Sequence, residues 1–152
     1  MKKIHRIMTA IDLSAFSTQV MEYAGGLAED LKADLIAVNV INQRDVEAFQ
    51  KVSEYFDDFS VENYLKTQKD ERSRLLEKVI KEATCSHLSI QIVFRVGVPF
   101  HELAQAAKDL DVDLVVMGTR GRGQIAGVLF GSTAEKMFRR SPVPLLSIRL
   151  IT

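Results

Sequence analysis

The chain has 152 residues, of which 47% are hydrophobic and 26% charged, a balance typical of one globular domain spanning residues 1–152. Twenty basic and 20 acidic side chains leave no formal net charge, which argues against nucleic acid as the main partner. Cys85 is the only cysteine, so neither an intrachain disulfide nor a cysteine-based metal site is expected, and a cytoplasmic location is. No stretch approaches the roughly 18 apolar residues that cross a bilayer, so we expect no membrane insertion.

The first part of the chain predicts two buried strands with helices after them. Residues 4–11 and 35–41 are short apolar runs, as in strands that are covered on both faces of a sheet. Ser14 is the predicted cap of the helix between them, and a long helix is predicted from Ser60 to about Thr84. The first helix has the apolar stripe Phe16, Val20, Ala24, Leu27 and Leu31. In the second helix, the residues predicted to face the core are Val61, Leu65, Leu75, Leu76, Val79 and Ile80. Those predicted to face outward are Glu71, Arg72 and Glu77.

Residues 42–58 are the least regular stretch. Apolar side chains recur there at helical spacing, at Val46, Phe49, Val52 and Phe56, but polar residues flank them on both sides. The pattern predicts a short helix or an ordered excursion over the edge of the sheet. Because variable excursions over a fixed scaffold often determine binding, we expect residues 42–60 to carry the specificity for a protein partner that is not yet identified.

The second part of the chain continues the alternation of strands and helices. Strands are predicted at 89–96, 114–117 and 143–149, the last of them at a sheet edge because Pro144 lacks an N–H. Pro99 opens a helix whose inner stripe is Phe100, Leu103, Ala104, Ala107 and Leu110. A short helix is predicted from Ser132 to about Arg139.

Five strands that alternate with helices predict an α/β domain with a mainly parallel sheet and right-handed crossovers. In such a sheet, ligands bind outside the carboxyl ends of the strands, where the connections diverge to opposite faces. Asp12 and Gly118 both follow predicted strands directly, so both are candidates for such a site.

A glycine-rich loop from Gly118 to Thr133 joins the fourth strand to the last helix. Glycines let backbone amides approach a ligand closely, and a helix start adds unpaired N–H donors, so this arrangement can hold phosphate. The loop has neither the lysine of a P-loop nor the glycine spacing of a dinucleotide fold. Without any ligand, Ser132-x-x-Glu135 would be explained as a capping box and Asp12 as a turn residue.

The loop spacing G-x2-G-x9-G-[ST], here Gly118, Gly121, Gly131 and Ser132, resembles the ATP-binding branch of the universal stress protein family. The resemblance extends to Ala-Ile-Asp-Leu-Ser from residue 10, Gly-x-Pro from residue 97 and Pro-Val-Pro-Leu-Leu from residue 142. It implies an open five-stranded parallel sheet in the order 3-2-1-4-5 with helices on both faces. It also implies a homodimer that forms through the strand at 143–149.

The resemblance further implies a set of nucleotide-binding residues. Asp12 would bind the ribose, the backbone of Val40 would contact adenine, and Met117 and Gly118 would flank the nucleotide. The residues that would hold the phosphates are Gly121, Gly131, Ser132 and Thr133, while Arg120 and Arg122 could approach them from the loop and Ala10 lies beside Asp12. A Mg²⁺ or Mn²⁺ ion would arrive with the triphosphate and need few or no protein ligands.

The resulting hypothesis is an ATP-binding stress or regulatory protein whose nucleotide occupancy modulates its conformation or a partner interaction. Apart from Asp12, no acidic residue suggests a base for hydrolysis, so any ATPase activity should be slow. The alternatives are a nucleotide-free dimeric interaction module, an adenylate-handling enzyme and a flavin-carrying electron-transfer subunit. The His-x-Gly-His and Ser-Gly-Gly-x-Asp-Ser signatures of adenylate-handling enzymes are absent. A Gly118→Val change is expected to block the nucleotide while leaving the fold intact.

Overall fold

A parallel sheet forms the centre of the computed structural model, which describes residues 1–120, 127 and 130–150. Its strands lie in the order β3-β2-β1-β4-β5, with every adjoining pair parallel, so the predicted topology is confirmed. The strands are β1 (Arg6–Ala10), β2 (Asp34–Asn42), β3 (Ile90–Gly97), β4 (Leu114–Gly118) and β5 (Leu145–Ile148). The helices are α1 (Ser17–Leu31), α2 (Gln43–Ser53), α3 (Val61–Glu82), α4 (Pro99–Asp109) and α5 (Ser132–Arg140).

Two apolar cores lie on opposite faces of the sheet, which explains why the strand sequences are mostly apolar. One core joins Ile7 of β1 to side chains of α1 and α3, including Met21 and Leu76. The other joins Met8 of β1 to α4 and α5, including Met137. In the described ranges no helix is both long and apolar enough to span a membrane.

The predicted helix faces are confirmed in part. Phe16, Val20 and Ala24 are buried, but Leu31 is 43% exposed and Leu75 is 47% exposed, so these two leucines do not face the core. Ser14 does not cap α1, because the cap position is Phe16 and no side chain bonds to it there. The Ser14 hydroxyl instead accepts a hydrogen bond from Phe16 N at 3.3 Å, which shapes the turn before the helix.

The stretch after β2 contains a short helix, which was one of the two predicted alternatives for residues 42–58. The side chain of Asn42 caps α2 by accepting a hydrogen bond from Arg44 N at 3.0 Å. No residue of α2 is buried. The helix contacts the rest of the protein through Phe49, whose ring stacks on that of Tyr64 of α3 at 4.3 Å between centroids.

Asp113 ties the N-terminal segment to the start of β4. Its carboxylate accepts hydrogen bonds from Lys2 Nζ at 2.9 Å, His5 N at 2.8 Å and Arg6 N at 3.0 Å. The bond from Lys2 and the two backbone bonds lower the pKa of Asp113 from 3.8 to about 2, against a smaller opposing effect of desolvation.

This depressed pKa predicts an acid-dependent loss of stability. Because the folded-state pKa is below the unfolded one, the stabilisation from Asp113 is complete above about pH 4 and is lost as pH falls towards about 2. Urea unfolding midpoints measured across that range should therefore fall more steeply for the native protein than for an Asp113→Asn variant. Parallel curves for the two proteins would show that Asp113 is not responsible for the acid dependence.

Candidate functional site

A cleft of about 300 Å³ lies at the carboxyl ends of β1, β2 and β4, beside the start of α5. It forms where the chain leaves β1 for one face of the sheet and β4 for the other, which is the expected place for a ligand site in this topology. Nine of the 11 predicted site residues line it: Ala10, Asp12, Val40, Met117, Gly118, Arg120, Gly131, Ser132 and Thr133. The other two, Gly121 and Arg122, lie outside the residues that the structure describes.

Asp12 occupies the turn between β1 and α1. Its Oδ1 accepts hydrogen bonds from Ser14 N at 3.0 Å and from Ser17 Oγ at 3.4 Å. Asp12 therefore stabilises the turn, which was the alternative to ligand binding in the sequence analysis. The next residue, Leu13, has a positive φ of 62°, which is unfavourable for a bulky side chain. This turn holds the carboxylate at the mouth of the cleft.

The backbone of Val40 faces the cleft because β2 extends beyond the end of β1. Ile11 N donates to Val38 O at 3.0 Å, so the N–H and C=O groups of Val38 point towards β1. Backbone groups two residues apart in a parallel strand point the same way. The N–H and C=O of Val40 therefore point to the space that β1 has left, since β1 ends at Ala10.

The two ends of the glycine-rich loop are held together beside β4. Thr119 N donates to Ile148 O at 3.0 Å, and Gly131 N donates to Thr119 O at 2.8 Å. Gly118, at the end of β4, packs closely against α1 and the C-terminal segment. The start of α5 is therefore held at the carboxyl end of β4, on the wall of the cleft.

The start of α5 presents backbone donors to the cleft. The cap position is Gly131, and the first bond within the helix is from Glu135 N to Gly131 O at 2.9 Å. The N–H groups of Ser132, Thr133 and Ala134 have no partners within the helix, as at any helix start, and all three residues line the cleft. These amides and the positive end of the helix dipole favour an anion there.

The capping-box interpretation of Ser132-x-x-Glu135 is wrong. Ser132 is the first residue of the helix and not its cap, and no side chain caps α5. Glu135 pairs with Arg139 one turn further on, at 3.2 Å between Oε1 and Nη2. Ser132 lines the cleft, and a capping role does not explain its presence there.

Arg72 of α3 is the main site residue that the sequence analysis missed, since it was expected to point outward. It is only 7% exposed, and it lines the cleft. Its Nη1 donates to Asn39 Oδ1 at 2.9 Å and to Val40 O at 3.3 Å. Asn39 Nδ2 in turn donates to Ile11 O at 2.8 Å, so this network links α3 to the ends of β1 and β2.

The charges around the cleft are of both signs. Asp12, Asp45, Arg72 and Arg120 all line it, and Asp45 is a second lining residue that the sequence analysis did not identify. In the part of the chain that the structure describes, no group of three or more His, Cys, Asp or Glu could hold a metal ion. The arrangement therefore offers anion binding and polar contacts to a ligand.

Gly118 serves packing as well as the cleft. A Cβ atom there would lie 2.7 Å from Leu150 Cδ1 and 3.1 Å from Val20 Cγ2, so these two side chains would have to shift to accept it. A Gly118→Val change would therefore affect packing and the cleft together, so Gly131 is the better position for testing the site.

Comparison with known proteins identifies the family. The profile of the Universal stress protein family matches residues 3–149. Universal stress protein YxiE of Bacillus subtilis is 27% identical over 150 residues, covering 95% of this chain and 99% of that protein. The structure of MJ0577 from Methanocaldococcus jannaschii superimposes with a TM-score of 0.76 at 20% identity, covering 99% of both chains. A universal stress protein of Archaeoglobus fulgidus in complex with dAMP gives a TM-score of 0.63 at 13% identity, covering 96% of this chain and 98% of that one. The chain therefore belongs to the universal stress protein family.

Proposed function

We propose that this protein binds ATP in the cleft and that nucleotide occupancy changes a surface that a protein partner recognises. The observation that carries the proposal is the meeting of three elements in one cleft. These are the helix-start amides of α5, the carboxylate of Asp12 and the outward-facing backbone of Val40. They match the three parts of a nucleotide: phosphate, ribose and base. The dAMP complex of a family member supports an adenine nucleotide as the ligand.

The proposed contacts follow the shape of the cleft. The phosphates lie at Ser132 and Thr133, with Gly131 allowing close approach and Arg120 on the loop side. The family resemblance also assigns Gly121 and Arg122, which lie outside the described residues, to the phosphates. Asp12 accepts hydrogen bonds from the ribose. Adenine packs between apolar side chains, namely Ala10, Met117 and Leu103, and meets the backbone of Val40.

The donors available are sufficient for useful affinity. Hydrogen bonds to a charged group contribute about 1.5–3 kcal/mol each, and there are three helix-start amides. Micromolar binding needs about 8 kcal/mol in total. Burial of adenine adds to the phosphate contacts and offsets the cost of ordering the ligand. The site therefore does not need the lysine of a P-loop.

The proposed role is regulatory, because we assign neither Asp12 nor Asp45, the two acidic residues among the described lining of the cleft, to the activation of water. Hydrolysis of a triphosphate needs a group that orients the attacking water and groups that stabilise the developing charge. Asp12 is assigned to the ribose and is already hydrogen-bonded to Ser14 N and Ser17 Oγ. Any hydrolysis should be slow, and a Mg²⁺ or Mn²⁺ ion would be carried by the triphosphate.

Nucleotide binding can change the protein surface through the elements that line the cleft. Asn42 and Asp45 belong to the start of α2, so a bound nucleotide would contact or order the excursion after β2.

We also propose a cytoplasmic homodimer that forms through β5, which is an edge strand in the described sheet and has Leu146 40% exposed. Sedimentation equilibrium giving a monomer mass at micromolar concentration would exclude that dimer.

The direct test is to denature the purified full chain and identify any nucleotide that it releases. Stripped protein is then titrated with ATP, ADP, AMP and GTP by calorimetry. We expect an adenine nucleotide in the released fraction and micromolar affinity for ATP, with GTP bound more weakly. If no nucleotide is released and none binds, the protein is a nucleotide-free interaction module instead.

A further inference from the structure

Exposed apolar side chains are concentrated in one short segment, at the end of α2 and the turn after it. Val52, Tyr55, Phe56 and Phe59 are 55%, 84%, 55% and 53% exposed. We call these four residues the aromatic patch. Single exposed apolar residues are normal on protein surfaces, but four within eight residues are a concentration of the kind that marks an interaction site.

The aromatic patch is held in place by ring contacts. Phe56 packs edge-on against Phe59 at 5.7 Å, and Phe59 packs against Phe49 at 5.9 Å. Phe49 stacks on Tyr64 of α3, which anchors the group to the body of the protein. The rings of Phe56 and Phe59 are therefore held by neighbouring rings, which lowers the entropy lost when a partner binds them.

The rim of the patch is acidic. Glu54, Asp57, Asp58 and Glu62 are all exposed, whereas Lys51 is the only basic residue in the range 51–62. None of the four carboxylates takes part in an ion pair among the described residues. The surface thus combines an apolar centre with a negative edge.

This charge decides what can cover the patch. A second copy placed symmetrically on the same surface would bring the two acidic rims together, which is unfavourable. An anionic membrane surface or a nucleic acid would be repelled for the same reason. A protein segment with an apolar face and flanking Lys or Arg residues would satisfy both the rings and the carboxylates.

We propose that the aromatic patch is a docking surface for a basic amphipathic segment of a partner protein. The apolar face of that segment covers Tyr55, Phe56 and Phe59, and its basic side chains pair with Asp57 and Asp58. This surface stands apart from the cleft, so the proposal holds whether or not a nucleotide binds there.

The test uses a fluorescein-labelled amphipathic peptide of about 18 residues, built from Leu and Lys at helical spacing. A matched peptide has Glu in place of Lys. Fluorescence anisotropy with the full chain should show binding of the Lys peptide at least about tenfold tighter than that of the Glu peptide. Raising the salt concentration from about 0.05 to 0.3 M should weaken the binding of the Lys peptide.

Two double variants separate the parts of the surface. Val52→Ser with Tyr55→Ser removes apolar area and should weaken Lys-peptide binding about tenfold. Asp57→Asn with Asp58→Asn keeps the shape and should weaken binding and its salt dependence. Tyr23→Ser on α1, where Tyr23 is 59% exposed, is the matched control and should change nothing. Circular dichroism confirms that each variant is folded.

Three results would overturn the proposal. The first is equal affinity for both peptides, and the second is unchanged affinity in both double variants. The third is a lower sedimentation mass in the Val52→Ser, Tyr55→Ser variant, which would show that the patch pairs copies of this chain.

Discussion

Replacing Gly131 with Asp is expected to lower the affinity for ATP by about fivefold to several hundredfold while leaving the protein folded. A carboxylate at the cap of α5 competes with the phosphates for the same helix-start amides. It also adds a negative charge close to them. Two like charges about 4 Å apart repel by roughly 1 kcal/mol in water and about 4 kcal/mol at the effective dielectric of a protein surface. Calorimetric titration of nucleotide-free protein measures the loss.

Gly131→Asn is the matched control for this change. Asn and Asp have nearly the same shape, and both are favoured at a helix cap, so both variants should unfold at or slightly above the native temperature. The position can take a side chain, since its φ is −69° and a Cβ atom there would meet only Thr119 O at 3.8 Å. The Asn variant competes for an amide without adding charge, so it should lose much less affinity. Equal binding by both variants would show that the phosphates do not lie at the start of α5.

The strands that occupy the middle of the sheet could be predicted from sequence because burial on both faces leaves a short, mostly apolar run. β1, β2 and β4 all have this property. The order of the strands could not be obtained in this way. Apolar patterning shows that a segment is buried but not which neighbour it pairs with, so the order rested on the family resemblance.

The site could be predicted where it depends on chain position and not where it depends on single contacts. Residues that follow a strand, such as Asp12, are brought to the cleft by topology alone. Arg72 was missed because charge was taken as a sign of exposure, although it lies four residues before buried Leu76 and therefore on the same helix face. The cap of α5 differs from the predicted one by a single residue, which is below what a sequence pattern can resolve.

Removal of the Arg72 guanidinium is expected to destabilise the protein. In an Arg72→Met variant the side chain still fills most of the volume, but Asn39 Oδ1 loses the donor that lies 2.9 Å from it. Asn39 is only 1% exposed, so water cannot replace that donor without a change in structure. A buried acceptor without a partner costs about 1–3 kcal/mol. Because Arg72 lines the cleft, relief of its own desolvation should offset only part of this cost.

A double-mutant cycle separates this hydrogen bond from the packing of the side chain. Asn39→Leu alone removes one acceptor of Arg72 Nη1 and the side-chain donor to Ile11 O, and should also destabilise. With Arg72→Met added, the two apolar side chains can pack together, so the double variant should be more stable than the sum of the single losses predicts, by roughly 1 kcal/mol or more. Urea unfolding of the four proteins gives this coupling, and additive losses would show that the bond contributes nothing. Arg72 also donates a hydrogen bond to the carbonyl of Val40. If the backbone of Val40 contacts adenine, the same variants should bind ATP several-fold more weakly. If the hydrogen bonds of Arg72 only stabilise the fold, the ATP affinity of the folded fraction should be unchanged.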